Sequence, residues 1–158
     1  MSYIFTIKDI AYKNIYFDLY LQKEKHEEND YGCMNVTYES QKITAMVDTG
    51  AVISGISKRI AQTLKLESIR TENFMHAQGY ENSPVYLVDV VFPNDKIFKD
   101  IEVIETADPC DNTVIHDFLI GMNILRQGDF AITSVNGKMC FSFICPPREK
   151  YIDFNSYK

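Results

Sequence analysis

The sequence predicts an all-β domain with short helices. Segments in which apolar and polar residues alternate recur along the chain, as at 15–21 and 43–48, and a period of two is the strand signal. Turn signals separate such segments, notably Asn136-Gly137 and Phe92-Pro93-Asn94-Asp95. A helix signal is confined to a short stretch, where Ser57 offers an N-cap and Ile60, Ala61 and Leu64 share one face of 58–65.

Residues 3–10 mix Tyr3, Phe5 and Ile7 with Thr6 and Lys8 and read as a strand. Residues 15–21 place Ile15, Phe17, Leu19 and Leu21 on one side and Tyr16, Asp18 and Tyr20 on the other, a half-buried strand. The two are expected to pair as an N-terminal β-hairpin extension. Gln22 to Asp30 is too polar to bury and reads as a solvated charged loop, with His26 in it. Gly32 to Tyr38 and Lys42 to Asp48 read as two strands joined at Glu39-Ser40-Gln41.

Thr71 to Ala77 and Val85 to Phe92 form the next strand pair, with a loop over 78–83. The second of these is apolar on both faces and is expected inside a sheet. Ile97 to Glu105 is a further strand. The loop after it holds Asp108 and Asp111, which follow no apolar strand and are expected to be solvated. Val114 to Ile120 leads into Gly121. Phe130 to Thr133 and Lys138 to Ile144 form a hairpin around Asn136-Gly137, ended by Pro146-Pro147. The tail 148–158 carries Tyr151, Ile152, Phe154 and Tyr157, too apolar for a free end, and is expected to dock on a partner subunit.

A chain of 158 residues fits one domain, and 46% hydrophobic residues suffice for a packed core. The net charge of −6 argues against a nucleic-acid surface and an anionic membrane. No apolar run reaches the ~18 residues of a membrane span, and the N-terminus lacks a signal peptide's basic start and apolar stretch. Cys33, Cys110, Cys140 and Cys145 form no Cys-x-x-Cys pair, and His26, His76 and His116 are scattered, so neither a metal nor a cofactor is expected. Reduced thiols point to the cytoplasm.

The stretch on which the rest turns is Ala45-Met46-Val47-Asp48-Thr49-Gly50-Ala51-Val52. Asp and Gly are poor strand residues, so their place inside an apolar run asks for a reason. A strand that turns at Gly50 presents Asp48 from a rigid base, with Thr49 beside it to hydrogen-bond neighbouring backbone.

Asp48-Thr49-Gly50-Ala51 after an apolar strand resembles the active-site loop of aspartic proteases. The single copy in a short chain resembles their retropepsin-like branch, and Phe118-Leu119-Ile120-Gly121-Met122-Asn123-Ile124-Leu125 resembles the second half of that signature, an apolar pair, a glycine and a short helix. Gly128-Asp129-Phe130-Ala131-Ile132-Thr133, Asn136-Gly137-Lys138 and Phe141-Ser142-Phe143 look like bacterial members. The resemblance covers roughly residues 31–145. It implies a retropepsin-like acid protease half-barrel, a single lobe over 31–147, with 1–30 as an N-terminal strand extension and charged loop and 148–158 as a tail.

The resemblance also implies roles. Asp48, Thr49 and Gly50 are the catalytic residues; Ala51, Gly121 and Asn123 support them; Gln78, Gly79 and Tyr80 lie on a flap that closes over substrate. With one Asp-Thr-Gly per chain, the second carboxylate comes from another copy, so a homodimer hydrolysing a peptide or protein substrate is implied. Val52 stands where many members have Asp or Thr, and the flap lacks a glycine-dense tip. The alternative is a catalytically weak or inactive module of the same fold that binds peptide or dimerises.

Overall fold

The computed structural model describes residues 2–11, 14–28, 31, 33–76, 79–108 and 116–150, with backbone alone at 74–76 and 79–81. Among the described residues ten strands and two short helices follow in order: β1 (Tyr3–Ile10), β2 (Tyr16–Glu28), β3 (Met34–Val47), β4 (Ser54–Ser57), α1 (Lys58–Thr63), β5 (Arg70–His76), β6 (Gly79–Val91), β7 (Ile97–Thr106), β8 (Phe118–Ile120), α2 (Met122–Leu125), β9 (Asp129–Val135) and β10 (Lys138–Cys145). The all-β class with short helices holds. Residues 109–115, with Cys110 and Asp111, lie outside the described residues, as do Gln78 and the tail 151–158.

The large sheet runs β2-β3-β8-β4-β7-β6-β5, and β2 pairs with β6 as well. That last pairing, Tyr20 to Gln22 against Val91 to Asp89, closes six strands into a barrel and leaves β5 on the outside of β6. Its interior is filled by alternate residues: Leu19, Leu21, Ile43, Ala45, Ile56, Val88, Val103, Phe118 and Ile120 are all buried.

Strands β1, β10 and β9 form a second sheet. The expected N-terminal hairpin is not formed: β1 pairs with β10, Tyr3 opposite Cys145, while β2 pairs with β3. The reason is aromatic packing. Phe5 on β1 and Phe141 and Phe143 on β10 face Phe17, Phe92 and Phe98 of the barrel, with centroids 4.8 Å apart for Phe5–Phe17, 5.3 Å for Phe17–Phe92 and 4.9 Å for Phe92–Phe98. Tilted and edge-to-face aromatic pairs of this kind are worth about 0.5–1.5 kcal/mol each beyond the area they bury.

The expected charged loop over 22–30 is strand as far as Glu28, and β3 is one strand rather than two. Every residue from Tyr16 to Glu28 has a partner on β3, from Met46 back to Met34. The outer part of this arm is exposed on both faces, so polar residues are tolerated on both while the backbone pairing satisfies its own groups. Lys99 fixes the arm's base through Glu24 and the Tyr38 ring.

The loop expected over 78–83 is likewise mostly strand, because β6 starts at Gly79. At the other hairpin the expected turn is found: Asn136 and Gly137 both have positive φ, 51° and 77°, as a type I′ turn requires. Ser57 stands at the N-cap of α1 but does not cap it. Its hydroxyl donates to Asp117 instead, and the Arg59 backbone N–H is met by Asp108, which is therefore engaged rather than merely solvated.

Candidate active site

Asp48 ends β3 where β8 lies parallel beside it, Val47 opposite Ile120. β8 is flanked on its other side by antiparallel β4, Gly55 opposite Leu119. The loop 48–53 thus leaves β3, crosses the end of β8 and returns as β4. Backbone bonds tie it to the crossing segment throughout: Asp48 N donates to Ile120 O (3.0 Å), Met122 N to Ala51 O (2.8 Å) and Asn123 N to Val52 O (3.1 Å).

The aspartate shapes its own loop. Gly50 N donates to Asp48 Oδ1 at 2.9 Å and Ala51 N to Asp48 O at 3.3 Å, an Asx turn inside a β-turn. This explains the two poor strand residues in an apolar run: they make the turn. The loop-closing side chain is Asp48, not Thr49 as expected; Thr49 and Gly50 are exposed at the loop's lip.

Gly121 has no room for a side chain. A Cβ there would stand 2.8 Å from Ile53 C and 2.9 Å from the carbonyl oxygens of Ala51 and Ile53, all backbone. Close passage of two chains needs glycine at this point. Asn123 ties α2 to the loop's exit as anticipated for its amide: Oδ1 accepts from Ser54 N (2.9 Å) and Ser54 Oγ (2.7 Å), and Nδ2 donates to Glu102 O (2.8 Å). Ser54 then accepts from Gly121 N at 3.0 Å.

Ser54 was not singled out from the sequence. Its signal was available, a serine between Ile53 and Gly55 in apolar surroundings, and it is fully buried. Glu72 was missed as well, because its place depends on how strands far apart in sequence line up.

Asp48 opens on a cavity of about 500 Å³ lined by Gly50, Ala51, Val52, Ile53, Gly55, Glu72, Ile104, Thr106 and Leu119. Its walls are mainly aliphatic, and among the described residues its ionisable groups are Asp48 and Glu72. Of the expected flap, Gly79 and Tyr80 begin β6 opposite His76 and Met75 of β5, so the hairpin expected there is formed; Gln78 lies outside the described residues.

On the far side of β8 from the loop's lip sits a polar group the sequence did not single out. Burial works against the Asp117 carboxylate, yet hydrogen bonds from Arg59 (2.6 and 2.7 Å) and Ser57 (2.7 Å) hold it below the usual range. Burial pushes the neighbouring His116 imidazole down, against the pull of Asp117 and Asp48. Its ring lies 5.9 Å from that of Tyr16, and its buried Nδ1 has no hydrogen-bond partner among the described residues. Among the described residues no group of three His, Cys, Asp or Glu is placed to hold a metal ion.

Comparison with known proteins gives the following. The family described as "gag-polyprotein putative aspartyl protease" matches residues 34–127. A retropepsin-like aspartic protease from Rickettsia conorii is similar in structure at 20% identity, with a TM-score of 0.54, over 92% of this chain and 96% of that one. The retroviral protease-like domain of Ddi1 from Leishmania major aligns at 17% identity and a TM-score of 0.38, over 77% of this chain and 90% of that one. No curated protein matches. The likeness to the rickettsial structure is one of fold, and its barrel is the one described above.

Proposed function

Because this chain belongs to the retropepsin-like aspartic protease family, we propose that it is an aspartic endopeptidase whose chemistry rests on Asp48. The observation that carries this reading is the seat of that carboxylate. It is pinned at a strand end by the Gly50 N–H, and it opens on an aliphatic cavity large enough for peptide side chains.

Hydrolysis of a peptide bond in this way takes two carboxyls. One takes a proton from water as the water oxygen attacks the carbonyl carbon. The other, protonated, gives its proton to the carbonyl oxygen, and the tetrahedral diol then collapses as the amine leaves with a proton. Two carboxyls in contact hold one proton between them, because both cannot ionise side by side. One chain supplies one Asp48, so the second comes from a second copy across a two-fold axis and the active species is a homodimer. Thr49 and Gly50 position the pair, while Gly79 and Tyr80 at the start of β6, with Gln78 before them in sequence, cover an extended peptide. The thiols of Cys140 and Cys145 fit a reducing compartment, the cytoplasm.

The test is cleavage of a peptide library by wild type and Asp48→Asn, with sedimentation of both. The expected outcome is a dimer in each case, cleavage by wild type, and loss of cleavage in the variant with the fold intact. Cleavage that survives in Asp48→Asn removes this mechanism. Peptide binding without cleavage in both proteins favours the binding module of the same fold.

A further inference from the structure

The strand registers place six residues in one row across the outer face of the large sheet. Met46 pairs with Leu119, Leu119 with Gly55, Gly55 with Ile104, Ile104 with Val85, and Val85 with Arg70. Side chains alternate along a strand, so residues two places from a row member share its face. Asp48 stands two places from Met46, and Glu72 two places from Arg70. Strand directions put them on opposite sides of the row, and both line the same cavity. Between them the lining is Gly55, Ile104, Thr106 and Leu119.

Glu72 is not a neutralised charge. Arg70 Nη2 donates to it at 2.8 Å, but the same guanidinium also donates to both oxygens of Glu102, at 2.7 and 2.9 Å. Two carboxylates share one cation, so the trio keeps a charge of about −1. All three side chains are partly exposed, at 39% for Arg70, 41% for Glu72 and 44% for Glu102, and so lie within reach of a bound molecule. Their pairing fixes where the charge sits, since Arg70 is held from two sides.

We propose that Glu72 makes this cleft selective for peptides that combine an apolar side chain near the scissile bond with a lysine or arginine several residues away toward either end, since the two-fold axis of the proposed dimer sets a Glu72 at each end. The inference rests on the peptidase reading and names its substrate class. The apolar side chain fills the space over Gly55, between Ile104 and Leu119. The basic side chain reaches the Glu72 end, where the long stem lies on apolar surface and the charge meets the carboxylate. Exposed or half-exposed ion pairs are weak, so the preference is modest and falls with salt.

The experiment uses fluorescent peptides identical except for Lys, Gln or Glu at the distal position. Binding is measured with full-length Asp48→Asn protein and cleavage with wild type. The Lys peptide is expected to bind about three-fold tighter than the Gln peptide at low salt. Adding Glu72→Gln is expected to abolish this ratio, and Glu72→Lys to invert it in favour of the Glu peptide. Glu39→Lys, an equal change of charge on the exposed arm, is expected to keep the wild-type ratio. A ratio of one in the parent protein, its survival in Glu72→Gln, its loss in Glu39→Lys, or the absence of peptide binding overturns the proposal. Should the Asp48→Asn protein discriminate while wild type cuts nothing, the selectivity stands and the peptidase reading fails. Should wild type cut all three peptides equally, the peptidase reading stands and the selectivity fails.

Discussion

Asn123 holds Ser54 by two hydrogen bonds to a single carboxamide oxygen, from the serine backbone N–H at 2.9 Å and its hydroxyl at 2.7 Å. The same amide reaches Glu102 O with its nitrogen. One side chain thus joins α2, β4 and β7 beside the loop that carries Asp48. Replacing Asn123 by Ala leaves the Ser54 N–H, the Ser54 hydroxyl and a carbonyl without this partner. A loss of about 1–3 kcal/mol in urea unfolding is expected. Asn123→Asp is expected to lose part of that, since it keeps the acceptor but sets a carboxylate against Glu102 O.

Gly121→Ala is expected to cost about 3 kcal/mol, because the new methyl would overlap backbone atoms that no rotamer change can move. The loop 51–53 must shift to admit it, so peptide cleavage is expected to fall by more than the stability loss explains. Unfolding midpoint and turnover measured on the same preparation check this. Equal stability in the two proteins would show that the approach is looser than described.

Acid is expected to weaken the fold in two steps. The His116 imidazole is lowered by burial, so folding favours its neutral form. Its contribution is complete above the unfolded value of about 6.5 and is lost as pH falls below it. The Asp117 carboxylate is also lowered, Arg59 and Ser57 outweighing burial, so its contribution is present above about pH 4 and is lost below that. Thermal midpoints of wild type are expected to drop between pH 7 and 5 and again below pH 4. His116→Gln is expected to flatten the first drop and Asp117→Asn the second.

Phe92→Ala is expected to destabilise the protein by about 3–5 kcal/mol. Phe92 touches Phe5, Phe17, Phe98 and Phe143, which come from β1, β2, β7 and β10. Its loss opens the seam between the two sheets rather than a pocket in one. Calorimetry that separates one transition from two would show whether the small sheet parts from the barrel first.

The loop around Asp48 was legible because it breaks local rules: an aspartate and a glycine interrupt an apolar run. Gly121 and Asn123 were legible by their resemblance and order in the chain. The Asn136-Gly137 turn was legible because two positive φ angles in succession select those residues. What was not legible depends on distance. Nothing near Tyr3 in sequence announces that it pairs with Cys145 rather than with β2. The polar run 22–28 read as a loop because sequence polarity reports burial, whereas its strand is held by backbone pairing along its whole length, with Lys99 at its base. Glu72 carries no local mark at all; its meaning comes from a register that spans six strands.

The threading of β8 between β3 and β4 has a bearing on biosynthesis. Ser54 and its anchor Asn123 are 69 positions apart, so the aspartate is made long before the residues that seat it. A ribosome that has not passed Phe118 carries a polypeptide with the acidic group and no cradle for it. The seat of Asp48 is therefore incomplete on the nascent chain until Phe118 to Asn123 have been made.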